Sequence, residues 1–199
     1  MSVAKAISNR IKRMQKGRPF SRVIFAQLGS RAAIDKALSS LVKSGSLERV
    51  ARGVYMRPKM SLYTGGRVRP NPLAIMMILA KANGETIQIH GAEAVRRLGL
   101  STQMQVLPTY YTSGTTREIK VGNAVVRLRH VESARLQYAG TKVGTVLTAF
   151  YYLGKQGLSA QIVSIITNAM SSEELRKLKA CRMPVWMRSA LCSPPRNAH

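Results

Sequence analysis

A chain of 199 residues with 32 Lys plus Arg against 8 Asp plus Glu carries a formal charge of +24, and its length suffices for one large domain or two small ones. Charge of that size favours a polyanionic partner through counterion release. The longest aliphatic run, Leu73–Ala80, is too short for a bilayer-spanning helix, which needs about 20 residues.

The first predicted element is a helix over Ser2–Met14, with Val3, Ile7, Ile11 and Met14 on one face and Lys5, Arg10, Lys12 and Arg13 on the others. A basic turn follows, Gln15–Ser21, which contains Arg18. Ser21 is placed to cap a short helix that holds Arg22 and turns Val23, Ile24, Phe25 and Leu28 inward.

Ser30 is the expected N-cap of the next helix. Ile34, Leu38, Leu41 and Val42 recur at helical spacing, and Gly45 stands where a left-handed residue ends a helix. The opposite face carries Ala32, Lys36, Ser39, Ser40 and Lys43. Small residues let a backbone approach a DNA groove, and Lys36 can reach a phosphate or a guanine edge. Arg31 lies nearer the apolar flank and is expected on phosphate. Asp35 would repel phosphate unless a neighbouring cation pairs with it or it accepts from a cytosine amino group. Beyond Gly45 the period changes. Leu47–Val50 and Val54–Met56 read as strands of a hairpin turned by Ala51-Arg52-Gly53, with Arg52 at the tip and Arg49 and Arg57 on the arms.

This order of elements predicts a winged helix-turn-helix over residues 1–60. Its candidate DNA-binding residues are Arg18, Arg22, Ser30, Arg31, Ala32, Lys36, Ser39, Ser40, Lys43, Arg49, Arg52 and Arg57. Residues 1–60 hold 14 of the basic and 2 of the acidic residues, so half the net charge lies in less than a third of the chain.

A linker is expected over 61–71, from its Gly-Gly pair and two prolines, with a domain boundary near residue 70. An α+β domain with C-terminal helices is then expected over 72–191. Pro72 opens a helix through Ala82 that is apolar on nearly every side and so should be buried. Glu85–Ile89 reads as a strand and Ala92–Leu98 as a short helix. Val106–Thr112, Glu118–Val121 and Ala124–His130 read as strands, the last two joined by Gly122-Asn123. Lys142–Gly154, Ala160–Ala169 and Ser172–Cys181 read as helices. Ile162, Ile165 and Ile166 form an apolar face on the second, and Ser171 or Ser172 caps the third. Trp186 is expected to anchor a final short helix, and 192–199 are expected to be a disordered tail.

The basic N-terminal segment with RGVYMRP, then PLAIMMILAKANGETIQIHGAEAVRRLGL, then YYTSGTTREIKVGNAVVRLRHV, resembles the antitoxin of abortive-infection type E (AbiEi-like) systems over about residues 1–135. The resemblance implies a two-domain member of a type IV toxin–antitoxin pair. The N-terminal domain would repress its own promoter, and the following domain would counter a nucleotidyltransferase-like toxin. The C-terminal part is shorter here than in the larger antitoxins.

Catalysis finds no support in the residue pattern. The eight carboxylates are scattered without acid/base or metal-cradle spacing. His90 and His130 stand alone at strand ends, which favours structural roles. Thr112–Thr116 lacks the P-loop pattern and reads as a hairpin loop. Tyr110-Tyr111 and Tyr151-Tyr152 could stack on bases, although one member of each pair should face the core. Cys181 and Cys192 have no CxxC partner or histidine cluster, so no metal and no cofactor are expected. With so few cysteines and no signal-peptide pattern, a cytoplasmic protein with reduced thiols is expected. The partners expected are double-stranded DNA and a toxin, not a membrane. Two alternatives stay open: an RNA-binding protein acting through general positive charge, and a DNA-processing enzyme.

Overall fold

A computed structural model describes residues 2–63 and 65–192 of the chain. It is a mixed α+β protein with two small sheets. The residues gather into two compact units. One runs up to Glu85 and includes Glu118–Val126; the other contains Thr86–Arg117 and the chain from Arg127 on. Among the described residues, no helix is long and apolar enough to cross a membrane.

In the first unit, α1 spans Val3–Lys12, and the hydroxyl of Ser2 caps it by accepting from the Lys5 N–H. Ile7 and Ile11 are buried, with Val3 and Met14 packed against the same cluster, so the expected stripe faces the core. β1, Pro19–Ser21, lies in what reads as a basic turn from sequence alone. It is too short to show a period and becomes a strand only by pairing with a later segment. Ser21 caps the following segment as expected, but Arg22–Leu28 is a 3₁₀ turn. With three residues per turn, it cannot bury four apolar side chains on one face. Phe25 is wholly buried, whereas Val23 and Ile24 are exposed.

Helix α2, Arg31–Lys43, is capped by Ser30, whose hydroxyl accepts from the Ala33 N–H. It buries Ile34, Ala37 and Leu38, with Leu41 and Val42 half-buried beside them. Gly45 has φ +71°, the left-handed conformation expected past the helix end. β2, Glu48–Ala51, and β3, Val54–Met56, form a hairpin closed by Arg52-Gly53, with Gly53 at φ +78°. β1 adds to the other edge of β3, in register Phe20 opposite Tyr55, giving the order β1-β3-β2. Phe20, Phe25 and Tyr55 join this sheet to the helices, the Phe20 ring lying 5.8 Å from Phe25 and 6.3 Å from Tyr55.

Much of the stretch expected as a linker is hydrogen-bonded into a second hairpin. Met60 bridges Arg67, Val68 N–H donates to Lys59 C=O, and Ser61 N–H donates to Gly66 C=O. After it, α3 spans Pro72–Asn83, with the Asn71 side chain as cap and Gly84 left-handed at its end. α3 packs on β1 and β3, so the first unit continues beyond the composition shift near residue 70. Ile75, Met76 and Ala80 are buried, but Leu73 and Met77 are exposed, so the helix is not buried all round.

The other sheet has the strand order β4-β5-β7-β6. Its members are β4 (Ile87–Ile89), β5 (Thr109–Thr112), β6 (Arg117–Val121) and β7 (Ala124–His130). β4 and β5 are antiparallel, and β5 runs parallel to β7 with Tyr110 opposite Leu128. The neighbours of β5 are therefore β4 and β7. Ser113–Thr116 does not close a hairpin, contrary to the sequence reading; it leads into a crossover.

The helices of the second unit are α4 (Gly91–Arg97), α5 (Lys142–Gly157), α6 (Ala160–Asn168), α7 (Ser172–Ala180) and α8 (Val185–Cys192). Val146, Leu147 and Phe150 of α5 centre its core, against Val163, Ile166, Leu178 and Met187. On α6 the buried pair is Val163 and Ile166, and Ile165 points outward. Of the two serines expected to cap α7, Ser171 does so, and with Glu174 it forms a capping box. Cys192 ends α8; the rest of the expected disordered tail, 193–199, lies outside the described residues.

Candidate nucleic-acid interface

The residues singled out on α2 come to one surface. Arg31, Ala32, Lys36, Ser39, Ser40 and Lys43 are all exposed, while the other side of the helix supplies Ile34, Ala37 and Leu38 to the core. A 3.6-residue period makes this partition unavoidable once the apolar stripe is buried. Ser30 is exposed too, but its hydroxyl is occupied as the helix cap. Arg18 is exposed just before β1, and Arg49 on β2 and Arg52 at the hairpin tip are likewise exposed.

Asp35 is the one carboxylate of α2. The Arg22 guanidinium holds it from the preceding 3₁₀ turn, with Nη1 2.9 and 2.8 Å from the two carboxylate oxygens. Arg31 Nε stands a further 3.8 Å away. The repulsion that Asp35 would offer a phosphate is thus cancelled within the protein. Arg22 N–H also donates to Gly53 C=O, joining the 3₁₀ turn to the hairpin tip. Its side chain is only 28% exposed, so Arg22 positions the surface and is not displayed on it.

Arg57 takes a similar role at the other end of β3. Its Nη1 donates to the carbonyls of Lys12, the last residue of α1, and of Met14 just beyond it, at 2.7 and 2.6 Å. Arg10 donates to Ile24 C=O and lies 5.5 Å from the Phe25 ring centre. Three arginines of a uniformly basic segment therefore serve its fold. Sequence spacing does not separate them from Arg52, because their partners lie far along the chain. An open cavity of about 330 Å³ near Arg57 is lined by Lys12, Lys16, Ser8 and Ser46 over an apolar floor of Ile11 and Leu41.

In the second unit the residues with chemical potential are engaged structurally. His90 caps α4: its Nδ1 accepts from the Ala92 N–H and lies 2.6 Å from Gln105 Nε2. Burial, aided by Arg129 and Arg135, holds its pKa below the usual histidine value, which keeps Nδ1 available as an acceptor. His130 Nδ1 lies 2.8 Å from Gly114 C=O, and Ser113 Oγ accepts from Thr86 N–H, so both groups pin the loop after β5. Tyr111 is buried and Tyr110 half-buried, while Tyr151 is half-buried and Tyr152 exposed. The Arg135 guanidinium lies 5.1 Å from the Tyr111 ring and 4.9 Å from that of Tyr151. Among the described residues, no group of three or more His, Cys, Asp or Glu side chains could hold a metal ion.

The fold and this surface define a basic mixed α+β protein with an exposed cationic helix face beside a short cationic hairpin. The chain belongs to DUF6088, a family of unknown function whose model matches residues 6–178. That match runs through both compact units. No curated protein and no solved structure matches the chain.

Proposed function

We propose that α1 through β3 constitute a winged helix-turn-helix that reads double-stranded DNA, and that the protein is an autorepressor of its own promoter. In this reading α2 enters the major groove through Ala32, Lys36, Ser39 and Ser40. Arg52 on the β2–β3 hairpin takes the adjoining backbone or groove, and Arg18, Arg31, Lys43 and Arg49 sit on phosphates. The observation that carries the proposal is the polarity of α2. Its outward face is exposed and cationic, and the acid beside that face is neutralised by Arg22. The β1-β3-β2 sheet supports the same reading, because it holds the hairpin beside the 3₁₀ turn and α2. A surface of this shape suits the B-form major groove better than A-form RNA, whose major groove is too deep and narrow for side chains to read.

The antitoxin role follows from the AbiEi-like resemblance, with the second unit countering a nucleotidyltransferase-like toxin. Binding to a labelled duplex of the protein's own upstream region, against scrambled duplex and structured RNA at low and high salt, tests the first part. Preference for the upstream duplex that persists at high salt is the expected result. Equal binding to all three that collapses with salt would reduce the surface to nonspecific charge. Co-expression of the full-length K36A/R52A variant with the toxin tests the second part. Rescue should survive the loss of DNA binding; failure to rescue would confine the protein to repression.

A further inference from the structure

The second hairpin of the first unit, with Lys59–Ser61 and Gly66–Val68 as its arms, takes no part in the reading above. Its base is tied by the Met60–Arg67 bridge and by backbone hydrogen bonds of 2.8 Å from Val68 N–H and from Ser61 N–H. Beyond that base, Leu62 and Tyr63 are 98% and 99% exposed, and Met60 is 55% exposed. Large apolar side chains displayed this fully on a hydrogen-bonded scaffold bury nothing of their own chain. Lys59, Arg67 and Arg69 around them are exposed as well. From Arg49 to Gly84 the sequence has seven cations and no acid.

An apolar tip on an acid-free basic stem is the combination with which proteins enter a DNA minor groove. The cations sit on phosphates while the apolar side chains wedge between base pairs and kink the duplex. We infer that Leu62 and Tyr63 form such a wedge, inserted at a base step next to the site contacted by α2 and Arg52. This inference rests on the DNA-binding reading. Met60 follows Val54 by six residues, so the second hairpin begins within at most about 20 Å of chain from the Arg52 tip. A protein partner would have to supply acids to this stem, whereas a duplex brings phosphates along its whole length.

The test uses the full chain and a duplex of its own upstream region carrying a fluorescent adenine analogue beside each TA step, where unstacking is easiest. Wild-type protein should raise the fluorescence as it unstacks the base. The L62A/Y63A variant should lose that rise and bind about tenfold more weakly, as loss of a stacked side chain implies. Its dependence on salt should match the wild type, because no charge is removed. Y63F keeps the ring and should keep the rise. Both residues are exposed, so an unchanged melting temperature accompanies these effects. Wild-type affinity and fluorescence in L62A/Y63A, with binding still lost in K36A/R52A, would overturn the wedge and leave the reader standing. Absence of DNA binding by the wild type would overturn both. Binding of the wild type, but not L62A/Y63A, to phosphatidylserine vesicles, with DNA binding equal in the two, would assign the tip to a membrane surface and also overturn the wedge.

Discussion

Positive charge has two uses in this molecule, display and internal pairing, and each compact unit illustrates one of them. In the first, α2 and the β2–β3 hairpin expose Arg31, Lys36, Lys43, Arg49 and Arg52, while the carboxylate of α2, Asp35, is neutralised by Arg22 and the hairpin's own acid, Glu48, is half-buried. In the second, many cations are taken up at home. Arg96 and Arg97 each hold Glu93 at 2.8 Å, and Lys177 holds Glu173 at 2.6 Å. Lys142 donates to Ala169 C=O and faces Glu174. Arg188 donates to the carbonyls of Lys179 and Cys181, and Arg135 stacks on tyrosine rings. The comparison teaches that net charge by itself does not locate a nucleic-acid surface. What matters to the proposed interface is charge that the fold leaves exposed.

The severest way to break the comparison is to remove the support of the first unit. Phe25 is completely buried and touches the sheet side through Phe20. Phe25→Ala should cost about 3–5 kcal/mol by denaturant unfolding and abolish DNA binding with it. Replacing both Lys36 and Arg52 by alanine should instead weaken binding to the upstream duplex more than tenfold, about 1.4 kcal/mol or more, without lowering the melting temperature. Unchanged affinity in that variant would discard the assigned surface.

Asp35→Asn sharpens the contrast, because it makes the first unit still more cationic while freeing Arg22. Nonspecific duplex should bind a few-fold more tightly, with a steeper salt dependence. Stability should fall by about 1 kcal/mol as the part-buried Arg22 loses its charged partner. Weaker nonspecific binding would mean that Arg22 matters to DNA only through the geometry it imposes.

In the second unit the effects should be smaller and should appear in stability against pH. Hydrogen bonds from Arg96, reinforced by Arg97 and opposed by burial, bring the Glu93 carboxyl from 4.5 down to about 2. A depressed carboxyl stabilises the fold above its unfolded value and loses that contribution as pH falls through the folded one. The stability difference between wild type and E93Q should therefore be constant near neutrality and shrink between about pH 4.5 and 2, followed by thermal melts. His90 also has a lowered pKa, so the folded unit prefers it neutral. Its contribution is full above the ordinary histidine value of 6.5 and declines below it, and H90N, which keeps an acceptor at the cap, should flatten that decline. DNA binding should not respond to either substitution.

Much of the local structure was determined by the sequence itself. The caps Ser21 and Ser30, a serine cap at Ser171 or Ser172, the left-handed Gly45, the strand Ala124–His130 and the exposed face of α2 all follow from spacing and turn chemistry, which act within a few residues. Only the tertiary structure decided the features that depend on distant partners. β1 exists because Phe20 finds Tyr55, and β5 runs parallel to β7, although neither pairing has a local signal. Val23, Ile24 and Ile165 are exposed because the packing of neighbouring elements, not hydrophobicity alone, determines which side is covered. Arg22 and Arg57 were indistinguishable from Arg52 in sequence, and the fold engaged the first two because Asp35 and the carbonyls ending α1 came within reach. An ion pair or a strand pair needs two segments brought together by chain closure. Its energy is realised only in the folded molecule, so local spacing shows which residues could act and tertiary contact decides which remain available.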